Sequence, residues 1–248
     1  MKEYGTEAIR NITFIGHQGS GKTSLTEIIL YAANEINRIG SITEGTTISD
    51  YTPNEIEKQI SISTSLMHCE WNNTKINMLD TPGYSDFIGD VKSAMRVSDT
   101  AVMLLKAAEG VEVGSETTGK FVDEFNLPSA IIINKVDNEH SKFKETLNQA
   151  RERLTSGAIA VTLPVHEGIN FNSVIDIIKM KLYRYGEPGS RKVTEEDIPA
   201  DLKSEAETYR TEFIEKVAET SEELLNKYFE EGTLPESDLK TGIKSELL

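Results

Sequence analysis

The stretch GHQGSGKT at residues 16–23 constrains the fold of this 248-residue chain more than any other feature. An apolar run, ITFIGH (12–17), precedes it, and a helix-like run, KTSLTEIILYAANEI (22–36), follows it. A strand, a glycine-rich turn and a helix in this order form a phosphate-binding loop, because backbone N–H groups and the helix N-terminus converge on phosphate oxygens. Lys22 is expected to neutralise the β- and γ-phosphates of a nucleotide, and Thr23 to ligate Mg²⁺. The predicted nucleotide contacts in this stretch are His17, Gln18, Gly19, Ser20, Gly21, Lys22, Thr23 and Ser24.

Strand-like and helix-like runs alternate along the first two-thirds of the chain. The strand-like runs are 12–17, 60–69, 75–80, 100–107, 129–135 and 158–165, and the helix-like runs are 22–36, 86–99, 115–126 and 141–154. This alternation predicts an α/β fold with a mostly parallel sheet and helices on both faces. Ligands bind to such sheets at the carboxyl ends of the strands.

The sequence pattern changes from about residue 157. VIDIIKMKLYRYG (174–186) predicts a strand or hairpin, GEPGS (186–190) a link, and residues 199–219, 221–232 and 236–248 acidic helices. We therefore predict a nucleotide-binding core over 1–156 and a smaller α+β subdomain over 157–248.

The charge and cysteine content exclude several classes of protein. A net charge of −15 is the wrong sign for electrostatic binding of nucleic acid, so we expect no sequence-specific DNA partner. Cys69 is the only cysteine, which excludes an internal disulfide framework and fits a reducing cytosol. No apolar run is long enough for a membrane span. Residues 187–248 carry 17 Asp/Glu against 8 Lys/Arg, which indicates either a solvated helical surface or a docking face for a partner.

A second motif, LDTPGYSDF (79–87), begins at the end of an apolar strand. Asp80 is expected to hold Mg²⁺ beside the phosphate-binding loop, and the Gly83 N–H to contact the γ-phosphate. The next residue, Tyr84, stands where a nucleotide hydrolase often positions the attacking water. A phenol has a pKa of about 10, so Tyr84 cannot serve as a general base near neutral pH.

A third motif, Asn134-Lys135-Val136-Asp137, closes the strand-like run AIIIN. A carboxylate at Asp137 can accept hydrogen bonds from the ring N–H and the exocyclic amine of guanine, and adenine has no such donor pair. Asn134 and Lys135 are expected to brace the base. The three motifs in this order predict a P-loop GTPase that binds GTP and GDP.

The polar segment between residues 36 and 60 precedes a possible third metal ligand. Beside a phosphate-binding loop, a long polar segment is typical of a switch that is ordered by the γ-phosphate and Mg²⁺. We predict Ser61 as its hydroxyl ligand for Mg²⁺, with Thr64 as a weaker candidate and a solvated loop serine as the alternative.

With GHQGSGKTSLTE, DYTPNEIEKQISI, DTPGYSDF and NKVD in order, the chain resembles the GTPase domain of translation elongation factor G. The stretches TLPVHEGINFNSVIDIIKMKLYRYG and EDIPADLKSEAETYRTEFIEKVAETSEELLNKYFEEG resemble the subdomain inserted in that domain. The resemblance implies a cytoplasmic GTPase that acts on the ribosome, in translocation or ribosome remodelling. Its implied partners are the large-subunit stalk proteins and the GTPase-activating region, and the fragment is expected to be monomeric.

The chain departs from the family pattern at three positions. The family usually has histidine at Tyr84, aspartate at Gly19 and threonine at Ser61. The first two departures resemble a paralogue group of elongation factor G. No match to the fifth guanine-binding motif follows the subdomain, so we expect a truncated fragment of a longer protein with weakened nucleotide affinity.

Three alternatives stay open at this stage. The first is a nucleotide-gated ribosome-binding module with negligible turnover, for which Tyr84 and Gly19 argue. The second is a ribosomal protection protein of the tetracycline-resistance type, although such proteins usually keep the histidine. The third is an adenine-specific P-loop enzyme, against which NKVD argues.

Overall fold

The computed structural model describes residues 2–186, 190 and 192–246. The chain divides into two compact units, residues 1–135 and 136–248. The predicted boundary between residues 156 and 157 stays a prediction. Of the predicted link at 186–190, residues 187–189 lie outside the described residues, as do residues 247 and 248 of the last predicted helix.

The first unit contains a five-stranded sheet of mostly parallel strands, as the sequence predicts. Its strands are β1 (Ile9–Ile15), β2 (Ser65–Trp71), β3 (Thr74–Asp80), β4 (Thr100–Lys106) and β5 (Ser129–Asn134). The order is β2-β3-β1-β4-β5, and every pairing is parallel except that of β2 with β3. The predicted α/β fold is therefore confirmed, with one antiparallel strand at its edge.

Helices cover both faces of this sheet because alternate residues of a strand point to opposite faces. The helices of the unit are α1 (Lys22–Ala32), α2 (Pro53–Lys58), α3 (Ile88–Met95) and α4 (Val113–Phe125). On one face, Phe14 of β1 belongs to a buried apolar cluster with Leu30 of α1. On the other, the neighbouring Thr13 donates a hydrogen bond to the Ala94 carbonyl oxygen of α3 at 3.3 Å. The carboxyl ends of the central strands thus lead directly into the loops that carry the predicted motifs.

Helix α2 lies inside the polar segment that the sequence predicts to be a switch loop. Thr52 begins it with a capping box: its hydroxyl accepts from Glu55 N, and the Glu55 carboxylate accepts from Thr52 N. The same buried carboxylate accepts from Ile62 N at 3.0 Å and Ser63 N at 3.3 Å. Glu55 therefore ties the start of α2 to the chain beside Ser61.

These hydrogen bonds predict a pH dependence of stability. Burial by itself raises the pKa of Glu55, but the hydrogen bonds from Ile62, Thr52 and Ser63 outweigh it, and the pKa lies below its ordinary value. The stabilisation is therefore complete above the unfolded-state pKa and is lost as the pH falls through the lower folded-state pKa. Glu55→Gln is expected to lower the free energy of unfolding by about 1–2 kcal/mol near neutral pH.

Urea unfolding of the Glu55→Gln variant at a series of pH values from about 7 to about 3.5 would measure this effect. The difference from the unsubstituted protein should shrink towards the acid end. Glu57→Gln, an exposed substitution on the same helix, should change little at any pH. A difference for Glu55→Gln that is the same at every pH would contradict the assignment.

The second unit combines one helix, an antiparallel sheet and three further helices. The helices are α5 (Phe143–Arg153), α6 (Ala200–Ala218), α7 (Glu222–Glu231) and α8 (Glu236–Glu246), and the strands are β6 (Thr162–Pro164), β7 (Ser173–Asp176), β8 (Lys181–Tyr185) and β9 (Val193–Glu196). The predicted hairpin is confirmed as β7 and β8. The predicted strand at 158–165 shortens to β6, which pairs antiparallel with β7 instead of extending the parallel sheet.

Apolar side chains of α6 form much of the buried surface between the last three helices. Phe213 and Val217 of α6 are buried, as are Leu224 of α7 and Leu239 of α8. At Gly242 a Cβ would lie 2.4 Å from Val217 Cγ1, so α8 approaches α6 closely only because this residue is glycine. Among the described residues, no helix is long and apolar enough to cross a membrane.

Candidate nucleotide site

Three glycines give the loop between β1 and α1 its path. Gly16, Gly19 and Gly21 have φ angles of 135°, 69° and 99°, which side chains other than glycine rarely adopt. A Cβ at Gly16 would lie 2.5 Å from the Leu104 carbonyl oxygen, and one at Gly21 would lie 2.4 Å from Asn134 Nδ2. The loop therefore packs against the ends of β4 and β5 with its backbone.

Lys22 is a buried cation at the start of α1, with only 5% of its surface exposed. Its Nζ donates to the carbonyl oxygens of Gly16, at 3.1 Å, and His17, at 3.2 Å. Burial lowers the pKa of Lys22 to about 8, against the opposing effect of Asp80 and Asp50. Because phosphate oxygens are stronger acceptors than carbonyls, an anionic ligand in this loop would gain a charge-assisted hydrogen bond from Lys22.

The three residues predicted to hold a metal lie together. Thr23 Oγ1 donates to Asp80 Oδ2 at 2.7 Å and lies 3.2 Å from Ser61 Oγ. Asp80 is 1% exposed, and among the described residues its Oδ1 has no hydrogen-bond partner. Burial raises the pKa of Asp80 to about 6, although the Thr23 hydrogen bond and Lys22 act against it.

These side chains fit Mg²⁺, which prefers oxygen ligands and keeps several waters. They supply two hydroxyls and one carboxylate with an unpartnered oxygen. In the parts of the chain that the structure describes, no cluster of three or more His, Cys, Asp and Glu residues suits a metal ion. Thr64, the weaker candidate, bonds instead to Asp90, through its N–H and its hydroxyl.

The turn after β3 lies against the phosphate-binding loop. A Cβ at Gly83 would lie 2.6 Å from Gln18 Cα and 2.7 Å from Lys22 Nζ, so only glycine permits this approach. The following residue, Tyr84, is 37% exposed. The backbone of Gly83 thus packs directly against the phosphate-binding loop, and this contact places Tyr84 at the edge of that loop.

A cavity of about 500 Å³ lies between these elements, which is within the usual range for small-molecule sites. The predicted residues that line it are His17, Gln18, Gly19, Gly21, Lys22, Thr23, Ser24, Ser61, Gly83, Tyr84 and Lys135. Ser20 does not line it; its hydroxyl is buried and, among the described residues, without a partner. Asp80 does not line the cavity either, but it accepts a hydrogen bond from Thr23, which does.

Of the residues predicted to contact the base, Asn134 is the last residue of β5 and Lys135 follows it directly. Asn134 Nδ2 donates to the Ser20 carbonyl oxygen at 2.8 Å, which ties this strand end to the phosphate-binding loop. Lys135 has a left-handed φ of 58° and lines the cavity. Asp137 is exposed and belongs to the second compact unit.

Comparison with known proteins identifies the family. The model of the elongation factor Tu GTP binding domain family matches residues 7–236. The chain belongs to this family. It is also similar to a solved structure from Thermus thermophilus, with 31% sequence identity and a TM-score of 0.89. The match covers 97% of this chain and 36% of that one, so the chain spans about a third of the length of the protein it matches.

The resemblance predicted from the sequence motifs is therefore confirmed at the level of a translation-factor GTPase domain. Membership of a GTP-binding family implies that guanine nucleotide is the ligand class of this domain. The role of each site residue stays a prediction.

Several residues of the GTP-binding domain's cavity were not predicted from the sequence. Asp50 lines the cavity, and its carboxyl has a pKa that burial raises, in part offset by a hydrogen bond from Ser61. Glu112 lies 3.1 Å from Lys106 Nζ and 3.4 Å from His17 Nε2. Lys106 is the last residue of β4, and ligands of such sheets bind at the carboxyl ends of the strands. Asp50 opens the stretch DYTPNEIEKQISI that carries the family resemblance, but nothing in the residue pattern marks its carboxylate as part of the cavity wall.

A smaller cavity of about 280 Å³ adjoins the first one in the GTP-binding domain. The turn after β3, the start of α3 and the start of α4 enclose it. The residues that line both cavities are His17, Gln18, Gly83 and Tyr84. Tyr84 is therefore in contact with both cavities.

Proposed function

We propose that this domain binds GTP and GDP with Mg²⁺ and hydrolyses GTP to GDP and phosphate. We further propose that it does so as the GTPase domain of an elongation factor G-like paralogue on the cytoplasmic ribosome. The observation that carries the proposal is the buried cluster at the ends of β1 and β3. There, the Lys22 ammonium and the three candidate metal ligands meet at one side of the same cavity.

Each part of the site has a distinct task in this proposal. Lys22 and the loop N–H groups bind the β- and γ-phosphates and stabilise the charge that develops as the bond to the leaving oxygen breaks. Thr23, Ser61 and Asp80 would hold Mg²⁺, which supplies further neutralisation of phosphate charge when bound. Asn134, Lys135 and Asp137 select guanine. Catalysis by these groups is mainly positioning and charge neutralisation.

The turn at Gly83 and Tyr84 is where the reaction would be controlled. We assign the Gly83 N–H to the γ-phosphate, and the close approach of Gly83 to Gln18 and to the Lys22 ammonium supports this assignment. Tyr84 can orient the attacking water through its hydroxyl, but it offers no imidazole nitrogen to accept the proton of that water. Tyr84 in place of the family's histidine, together with Gly19 in place of its aspartate, favours a second candidate function, a GTP-gated ribosome-binding module with negligible turnover.

The proposed partners follow from the family and from the charge of the second unit. Helices α6, α7 and α8 carry acidic residues on exposed positions, such as Glu207, Glu222 and Glu230. An acidic surface of this kind suits a basic or amphipathic protein partner better than RNA. We therefore propose that the large-subunit stalk proteins dock on these helices, while the GTPase-activating region of the ribosome acts on the nucleotide site.

Hydrolysis of GTP with and without ribosomes, in the unsubstituted protein and in Tyr84→His, distinguishes the two functions. If Tyr84 orders the water, ribosomes stimulate the unsubstituted protein. If Tyr84 is a brake, only Tyr84→His gains, by about 10- to 100-fold, because an imidazole can accept the proton. Tyr185→His, on an exposed strand position of the second unit, is the matched control and should change nothing. Absence of GTP binding in both proteins would refute the proposal.

A further inference from the structure

We propose that Glu27 is a positioning residue, which holds the loop after α1 so that this loop closes one side of the nucleotide cavity. The inference rests on the proposed GTPase function. Glu27 lies one helical turn beyond Thr23, and residues four apart lie on the same face of a helix. The same face of α1 therefore carries a candidate metal ligand and, one turn later, a carboxylate that contacts the loop.

The Glu27 carboxylate binds both ends of a short segment. Its Oε2 accepts from Gly40 N at 2.9 Å, and its Oε1 accepts from Ile48 N at 2.6 Å. The side chain is 1% exposed. A buried carboxylate costs free energy unless its oxygens are hydrogen-bonded, and here both oxygens accept from backbone N–H groups.

The segment between these two contacts is closed on itself. Thr46 N donates to the Ser41 carbonyl oxygen at 3.0 Å, and Ser41 N donates to Thr46 Oγ1 at 2.9 Å. At Gly40, a Cβ would lie 2.5 Å from the Thr46 carbonyl oxygen and 2.8 Å from Glu27 Oε2. The loop 40–48 is therefore compact. Its first residue must be glycine, because a side chain there would collide with the loop itself and with the Glu27 carboxylate.

This loop supplies part of the cavity wall. Ile42, inside the loop, and Asp50, two residues after Ile48, both line the cavity. The Asp50 carboxyl shares a hydrogen bond with Ser61, a candidate metal ligand. Release of the loop from Glu27 would move Asp50 and Ser61 relative to Thr23 and Asp80, without changing any residue that contacts the nucleotide.

Glu27→Gln is the sharpest test because it keeps the side chain's shape and removes one acceptor. The glutamine amide would place an NH₂ group against one of the two loop N–H groups. Hydrogen exchange of the Gly40 and Ile48 amides, measured by NMR in the nucleotide-free protein, should accelerate at least about tenfold at one or both positions. Amides of β1 and β4 should be unaffected. Glu44→Gln, an exposed carboxylate of the same loop, is the control.

A second variant and a kinetic measurement complete the test. Gly40→Ala disrupts the contact with Glu27 from the loop side, because the added Cβ would collide with the carboxylate. It should accelerate hydrogen exchange at the same amides. In both variants kcat for GTP hydrolysis should fall about tenfold, while the Kd for GDP changes less than about threefold, because the loop acts on the metal side of the site.

The outcomes separate the inference from the proposed function. Unchanged exchange at Gly40 and Ile48 in Glu27→Gln would overturn the inference, whatever the activity. Accelerated exchange with unchanged kcat would also overturn it, since Glu27 would then hold the loop without positioning the site. If the unsubstituted protein hydrolyses no GTP, the proposed function fails, and the exchange data still decide whether Glu27 holds the loop.

Discussion

Lys22→Met is expected to lower kcat/KM for GTP hydrolysis by about 10³-fold, the largest effect of any single change in the site. Lys22 is buried, its ammonium lies within 3.2 Å of two loop carbonyls, and it lines the cavity in which we propose that the phosphates bind. Methionine fills a similar volume and supplies no charge, so the developing charge on the phosphoryl oxygens would lose its main protein-borne counter-charge. Steady-state hydrolysis in the presence of ribosomes measures the loss of kcat/KM, and calorimetry with GDP measures the loss of nucleotide affinity.

Lys120→Met provides the matched control for this change. Lys120 is exposed on α4, and its substitution should leave both hydrolysis and GDP affinity within about twofold of the unsubstituted protein. Removal of the Lys22 ammonium should not unfold the chain, because burial of this charge is itself costly, and the melting temperature checks this. A Lys22→Met protein that retains hydrolysis above about a tenth of the normal rate would show that the phosphates bind elsewhere.

Asp137→Asn is expected to weaken GDP binding by about 10²- to 10³-fold and to create affinity for xanthosine diphosphate. The carboxylate of Asp137 accepts from two guanine N–H groups in the proposed site. An asparagine amide turns one acceptor into a donor that opposes guanine, and xanthine presents a carbonyl oxygen in place of the guanine amine. Competition of GDP, XDP and ADP against a fluorescent nucleotide gives the three affinities.

The control for this exchange is Asp123→Asn on the exposed end of α4, which should leave the order of the three affinities unchanged. Preference for ADP in the unsubstituted protein would sink the guanine assignment altogether. Equal losses of GDP and XDP in Asp137→Asn would mean that Asp137 supports the loop after β5 and does not contact the base.

The sequence predicts the parts of this site whose residue type is dictated by backbone geometry or by the position of a strand end. The glycines at positions 16 and 21 have positive φ angles and backbone contacts that a side chain would block, so the spacing of the motif alone predicts the loop. Asp80 follows from its place at the end of a strand that pairs with β1. In both cases the residue type that the sequence motif requires is also the one that the tertiary structure requires.

The sequence does not predict the residues whose role depends on distant partners. Glu27 resembles any helical glutamate until the loop at 40–48 is seen to bind it. Helix α2 has a local sequence signal, since Thr52-Pro-Asn-Glu55 is a capping-box pattern, although it lies within a polar segment predicted only to be a switch loop. Strand β9 is exposed at every position, so it has no alternation of apolar and polar residues to mark it.

The hydrogen bond from Asn134 Nδ2 to the Ser20 carbonyl oxygen fixes the spacing between the carboxyl end of β5 and the phosphate-binding loop. In the proposed site the strand end contacts the base and the loop contacts the phosphates. We therefore expect the proposed site to select the distance that the sugar sets between base and phosphates, in addition to the chemistry of each end. An inhibitor for this domain should keep the span of a ribose between its base and its anionic group, even when both are replaced.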